Sequence, residues 1–197
     1  MTSPANQNEP WDESTAHWYA SHYGDWPTTW MPIQTEGWRP RETVVDIGCG
    51  TGSSLRHLLA YCPDGRLVGV EPSAAMLAIA HEQTQQADLD GRIEFYCAPA
   101  EALPLGDASV DSALAFSSYH HWQDVALGLR EVYRTLKPGG RLLLTEEPEI
   151  LVLHGVSLAD IQQQLRVAGF RELDSRRLTH GEAICDLIVA YKPTDLA

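Results

Sequence analysis

Basic residues are the first thing this chain of 197 residues is short of. Its 14 Lys and Arg stand against 27 Asp and Glu, a formal net charge of −13. That balance repels phosphate backbones and anionic lipid surfaces instead of recruiting them, so neither nucleic acid nor a membrane surface is an expected partner. Cysteine is also scarce: Cys49, Cys62, Cys97 and Cys185 lie far apart and form no CxxC pair. A zinc site and a disulfide framework are both unsupported, no metal is expected, and a reducing cytoplasm fits. No stretch approaches the roughly 18 continuous apolar residues of a membrane span. Met1 to Pro10 lacks the basic start and apolar run of a secretory signal. Internal repeats and low-complexity tracts are missing as well, which leaves little support for a second globular domain.

What is present is a 44% hydrophobic composition, enough at this length for one sizeable core. From Thr43 onward, short β-branched runs alternate with helix-like segments. This pattern predicts parallel strands in one sheet with helices on both faces, an α/β class. Thr43 to Ile47 reads as a first strand and Ser53 to Tyr61 as the helix after it, with Leu55, Leu58 and Leu59 at helical spacing. Leu67 to Val70 is a second strand. Ser73 caps a helix to about Thr84, and Ile93 to Tyr96 follows as a third strand. Val110 to Phe116 gives the fourth strand and Val125 to Leu136 a helix. Lys137-Pro138-Gly139-Gly140 then forms a stop and turn before a fifth strand at Leu142 to Leu144. Pro148 to Val156 reads as a short link, and Leu158 to Ala168 as a helix ended by Gly169. The runs Phe170 to Leu178 and Ala183 to Tyr191 close the sheet as an antiparallel pair. The first 42 residues hold five of the six tryptophans and are expected to be a helical cap or lid over a main domain of residues 43–197.

The strongest chemical signal is Asp46-Ile47-Gly48-Cys49-Gly50-Thr51-Gly52, which directly follows a buried strand and directly opens a helix. Glycines at alternate positions let the backbone bend sharply and approach a ligand, while the helix start offers unpaired N–H groups. The GxGxG spacing differs from the GxGxxG of dinucleotide-binding proteins, where a diphosphate sits on the helix end. Glu71 lies 19 residues past Gly52, at the end of the second strand, where a carboxylate is placed to accept hydrogen bonds from ribose hydroxyls.

Five landmarks in order, VVDIGCGTG (44 to 52), GVEPSAAML (69 to 77), AEALPL (100 to 105), SVDSALAFSSYHHW (109 to 122) and LREVYRTLKPGGRLLLTEE (129 to 147), resemble class I S-adenosylmethionine-dependent methyltransferases. The likeness runs from Val44 to about Tyr191 and is nearest the ubiquinone/menaquinone-biosynthesis-like branch. It implies a Rossmann-like, doubly wound, seven-stranded sheet, mostly parallel with the last strand antiparallel. It implies further that Gly48, Gly50 and Gly52, with Cys49 between them, wrap the methionine part of S-adenosylmethionine, that Asp46 steadies the loop, and that Glu71 holds the ribose. Pro72 would pack on one adenine face, Ala100, followed by Glu101, would present its N–H to the ring, and Phe116 or Ser117 would offer a carbonyl to the ammonium group. One departure stands out: many relatives carry an acid just before the Ala-Glu pair, and this chain has Pro99.

Methyl transfer from a sulfonium needs alignment and exclusion of water more than it needs a nucleophile, although an oxygen or nitrogen acceptor gains from a general base. His121, then His120 and Tyr119, are the candidates, because ligands of open α/β sheets bind along the carboxyl edge; packing and helix capping explain a His-His-Trp junction equally well. Glu146 and Glu147 end the fifth strand on that edge, either to bind a cationic acceptor or steady a lid, or as solvated carboxylates. His17 and His22 are five apart with no acid arranged beside them, so they read as surface histidines. Trp11, Trp18 and Trp26 either close an apolar or aromatic acceptor pocket or anchor the cap. The expected partner is a small-molecule methyl acceptor, and the expected assembly a monomer or homodimer. A nicotinamide-dependent oxidoreductase on the same scaffold and a non-catalytic cofactor-binding module are the competing readings.

Overall fold

The computed structural model describes residues 11–194, so the expectation for Met1 to Pro10 falls outside them. Seven strands, β1 (Thr43–Ile47), β2 (Arg66–Glu71), β3 (Ile93–Cys97), β4 (Val110–Phe116), β5 (Leu136–Glu146), β6 (Arg171–His180) and β7 (Ala183–Tyr191), form one sheet in the order β3-β2-β1-β4-β5-β7-β6. The pairs among β1 to β5 are all parallel, whereas β7 runs antiparallel to both β5 and β6. Order reverses at β1, which has β2 on one side and β4 on the other, and crevices for ligands open beyond the carboxyl ends of strands at such a reversal.

Because side chains alternate across a strand, the same runs feed two cores. Val45, Ile47, Val68, Val70, Ala113, Ala115, Leu142 and Leu144 pack to one face, with Phe170 fully buried among them. Val44, Leu67, Leu114, Leu143, Leu187 and Val189 pack to the other. Both faces are covered, which is why these strands read as continuous apolar runs. The covering helices are α3 (Ser53–Leu58), α4 (Ala74–Gln86), α5 (Val125–Thr135), α6 (Pro148–His154) and α7 (Leu158–Val167), which follow α1 (Glu13–Tyr23) and α2 (Met31–Gln34) of the N-terminal segment. Ser73, Asp124 and Ser157 cap α4, α5 and α7 by accepting from the N–H groups of Met76, Leu127 and Asp160.

Three local expectations change. The Lys137 to Gly140 turn does not precede β5 but lies inside it as a bulge: Val110 pairs with Leu136 and Ser112 already with Arg141. Gly139 takes φ +75° there, and Lys192 closes the excursion by accepting from Gly139 N and donating to Gly140 O. The helix after β1 stops at Leu58, earlier than the apolar spacing suggested. The stretch read as a link is the helix α6, with Pro148 at its first turn and Gly155 ending it at φ +63°.

Candidate functional site

A cleft of about 1170 Å³ of empty space, its open mouth included, lies over the carboxyl ends of β1, β2 and β4 and beneath α1. Of the sequence-predicted positions, Asp46, Gly48, Cys49, Gly50, Glu71, Pro72, Ala100, Glu101, Phe116, Ser117 and His121 line it. Gly52 does not; it sits at φ +74° as the residue before α3. Gly48 has φ +72°, and a Cβ built there would meet Ser118 Cβ at 2.5 Å. That contact is why the chain can turn off β1 so close to the end of β4, with the Ser118 hydroxyl donating to Ile47 O at 2.6 Å. Gly48→Ala is therefore expected to destabilise the fold by roughly 1–3 kcal/mol, as overpacking does, and to weaken cofactor binding; thermal denaturation with and without ligand measures both.

Among the described residues three carboxylates, Asp46, Glu71 and Glu101, line the cleft, and no Lys or Arg does. Asp46 is almost completely buried. Burial pushes its carboxyl up to about 7, with the charge of Glu71 adding and a hydrogen bond from Ser54 opposing, and its Oδ2 has no hydrogen-bond partner among the described residues. Glu71 bridges two turns: Oε2 accepts from Gly50 N at 3.1 Å and Oε1 from Ser73 N at 3.0 Å. Burial raises this carboxyl too, while the two backbone N–H groups pull it down. Each of its oxygens keeps a lone pair for a further donor. Glu101 accepts from Asp124 N at 2.9 Å, tying the 3-10 turn at Ala100–Ala102 to the start of α5.

Tyr119, His120 and His121 form a single 3-10 turn after β4, and three residues per turn aim three neighbours in three directions. His121 lines the cleft. His120 faces the buried Glu146 with Nδ1 2.7 Å from its Oε2, and the Tyr119 hydroxyl donates to Gln164 Oε1. His120 and Tyr119 instead line a second, smaller cavity beside α6. The sequence grouped the three; the structure brings only His121 to the cleft. The protein packed around its ring, reinforced by His120 and His154, holds its imidazole below the usual range, although the residue as a whole stays exposed.

Residues that sequence reasoning passed over complete the walls: Tyr19 and Tyr23 from α1, Thr29, Thr51, Ser118 and Trp122. Of the three cap tryptophans considered, Trp11 lines the cleft, whereas Trp18 stacks on His22 and Trp26 packs edge-on to Tyr23 outside it. Hydrogen bonds that fasten the segment over the cleft include Thr51 Oγ1 to Gly24 O at 2.7 Å, Ser73 Oγ to Trp11 O at 2.8 Å and Thr29 Oγ1 to Ser53 Oγ at 3.3 Å. His17 and His22 are exposed, and among the described residues no group of His, Cys, Asp and Glu is arranged for a metal.

A family model described as a methyltransferase domain matches residues 45–144, about half of the chain, a span that includes the glycine turn, Glu71 and His121. The chain belongs to the class I S-adenosylmethionine-dependent methyltransferases. It is 34% identical to the O-methyltransferase cnsE of Penicillium expansum over 68% of this chain and 53% of that protein. It is 32% identical to the ubiquinone/menaquinone biosynthesis C-methyltransferase UbiE of Geotalea daltonii over 54% of this chain and 46% of that protein. The chain thus spans about half the length of these curated relatives. The crystal structure of a methyltransferase dependent on S-adenosylmethionine from Aquifex aeolicus superposes with a TM-score of 0.75 at 21% identity, covering 92% of this chain and 98% of that one, and shares the fold.

The residues in this methyltransferase cleft fit an adenosyl sulfonium. The glycine turn has no room for a Cβ at Gly48, a buried carboxylate oxygen of Asp46 waits without a partner, and the lining holds acids without a cation. Pro99 also lines the cleft and has no N–H or carboxylate to offer the adenine ring. Among the described residues no helix is long and apolar enough to cross a membrane.

Proposed function

We propose that this chain transfers the methyl group of S-adenosylmethionine to a hydroxyl of a small-molecule acceptor, with His121 as general base. The observation that carries the reading is His121 opening into the same cleft as the glycine turn and Glu71, with its neutral, proton-accepting form favoured. Gly48, Cys49, Gly50 and Asp46 would hold the methionine part, Glu71 the ribose, Pro72, Ala100 and Glu101 the adenine side, and Phe116 and Ser117 the ammonium. When bound, S-adenosylmethionine supplies a methyl carbon already activated by its sulfonium.

The chain's own residues then orient the acceptor, exclude water and take a proton. His121 accepts the hydroxyl proton as the oxygen commits to the methyl carbon. Glu146 fixes the neighbouring His120, whose ring centroid lies 4.0 Å from that of His121, and so holds the base in place. The N-terminal segment, residues 1–42, acts as the lid over a main domain of residues 43–197, with Trp11, Tyr19 and Tyr23 as its inner wall. O-methylation is favoured over C-methylation by this base and by the relative named an O-methyltransferase. Four free cysteines support a reducing cytoplasm, and the acidic surface argues against nucleic-acid and membrane partners.

A dinucleotide reading is disfavoured by a lining that offers a diphosphate three carboxylates and no cation. Calorimetric titration with S-adenosylmethionine, S-adenosylhomocysteine and NAD tests the choice. Both adenosyl ligands are expected to bind and NAD to give no heat; binding of NAD alone would falsify the assignment. A non-catalytic module would bind the cofactor and form no S-adenosylhomocysteine with any acceptor of a hydroxyl panel.

A further inference from the structure

The part of the cleft left over once the cofactor positions are set aside is aromatic and uncharged. Tyr19 and Tyr23 stand one turn apart on the inner face of α1 with ring centroids 5.6 Å apart. Trp11 lies 4.6 Å from Tyr19, and its ring meets His121 edge-on at 5.8 Å and 86°. A continuous aromatic wall therefore leads to the imidazole. Beyond it, Glu147, the residue between β5 and α6, is half-buried and accepts from the Thr28 hydroxyl at 3.1 Å, while Glu146 before it is fully buried against His120. Both are acids, and among the described residues the cleft lining holds Asp46, Glu71 and Glu101 and no Lys or Arg, while the Arg56 guanidinium reaches the glycine turn at Thr51 O from outside that lining. The Tyr19 hydroxyl is held in its neutral form by burial and by the charges of Glu147 and Glu71.

A flat ring slots against such a wall through stacking and edge contacts. An anionic substituent would lose its water without gaining a cation and would face carboxylates in a medium where like charges repel strongly. We propose that the acceptor is a planar aromatic molecule without negative charge, carrying its hydroxyl toward His121, and that the cleft rejects carboxylate- and phosphate-bearing acceptors. This rests on the methyltransferase reading above and adds the substrate's charge and shape. The wall supplies the affinity for the ring, and the acids supply the selection against anions.

The test separates the two layers. The protein is first titrated with S-adenosylhomocysteine, whose binding answers for the cofactor site alone. The loaded protein is then titrated with 2-naphthol, 2-naphthoate and cyclohexanol, which vary charge and planarity one at a time. 2-Naphthol is expected to bind, with 2-naphthoate at least about thirtyfold weaker and cyclohexanol at least about tenfold weaker, each tenfold step being about 1.4 kcal/mol. Glu147→Gln is expected to narrow the gap between naphthol and naphthoate by several-fold while leaving S-adenosylhomocysteine binding in place. Equal binding of naphthoate and naphthol overturns the charge selection. Failure of all three probes to bind, or cyclohexanol matching naphthol, overturns the aromatic acceptor even where S-adenosylhomocysteine binds well.

Discussion

Glu71→Ala is expected to weaken S-adenosylmethionine binding by about a hundredfold and to weaken S-adenosylhomocysteine binding less, because the variant loses two things at once. Hydrogen bonds to a charged acceptor contribute about 1.5–3 kcal/mol each, so losing one ribose contact costs at least about tenfold in Kd, and losing a second, in a coupled site, adds less than its full share. The carboxylate also joins Gly50 N to Ser73 N, so alanine leaves two backbone donors without their acceptor and loosens the glycine turn against the start of α4. A purely structural role and a ribose role part company in one comparison. With a ligand lacking the ribose hydroxyls, the wild-type protein should already have lost most of the affinity that Glu71→Ala removes. If the variant lowers affinity equally for ligands with and without those hydroxyls, Glu71 is a brace for the turn and not the ribose acceptor. The larger loss for the sulfonium follows from charge, since one of the three acids in a cleft without Lys or Arg has gone.

How much of this was readable beforehand depended on whether the signal was local. The turn from Asp46 to Gly52 announces itself because strand, glycines and helix are contiguous, and Glu71 follows because a second strand ends at a fixed distance beyond. The sheet was legible from its apolar runs, since strands covered on both faces cannot hide their hydrophobicity. The α6 helix was not. It has seven residues, and Val152 and Leu153 point to solvent at 81% and 63% exposure, so no buried stripe marks its period. The β6 strand is an exposed edge with scattered apolar residues, and its true limits, Arg171 to His180, come from pairing with β7, a contact that only tertiary structure supplies. The bulge in β5 hid because a Pro-Gly-Gly sequence is the ordinary mark of a turn between elements, and here β4 and β7 hold both sides of it in the sheet. At the site, Tyr19 and Tyr23 are four apart in a segment dominated by tryptophans; that spacing was the available sign that both rings share a helix face. Tyr119 and His120 were placed with His121 by adjacency, and a 3-10 turn is what separates them.

His121→Ala is expected to lower kcat by about 10²–10⁴, the usual contribution of a positioned general base, with S-adenosylhomocysteine affinity retained. The pH profile carries the sharper demand. A histidine at its ordinary value titrates near about 6.5, and a base there would give kcat/KM an acid limb through that pH. His121 is exposed as a whole, but the protein packed around its ring and the neighbouring His120 and His154 hold it below that value, so its acid limb should lie below about pH 6.5 and the rate should stay level from about pH 7 to 8 on its account. An acid limb near 6.5 that disappears in His121→Ala would mean that the imidazole is far better solvated during turnover. A limb that survives the substitution would assign the proton to another group, with His120 and its Glu146 partner next in reach. So weak a base also constrains its substrate: it takes a proton efficiently only from a hydroxyl whose own acidity is high, or late, when bond formation to the methyl carbon has already made the oxygen positive. Aromatic hydroxyls are more acidic than aliphatic ones, so the depressed imidazole and the aromatic wall that ends at it make the same demand on the acceptor.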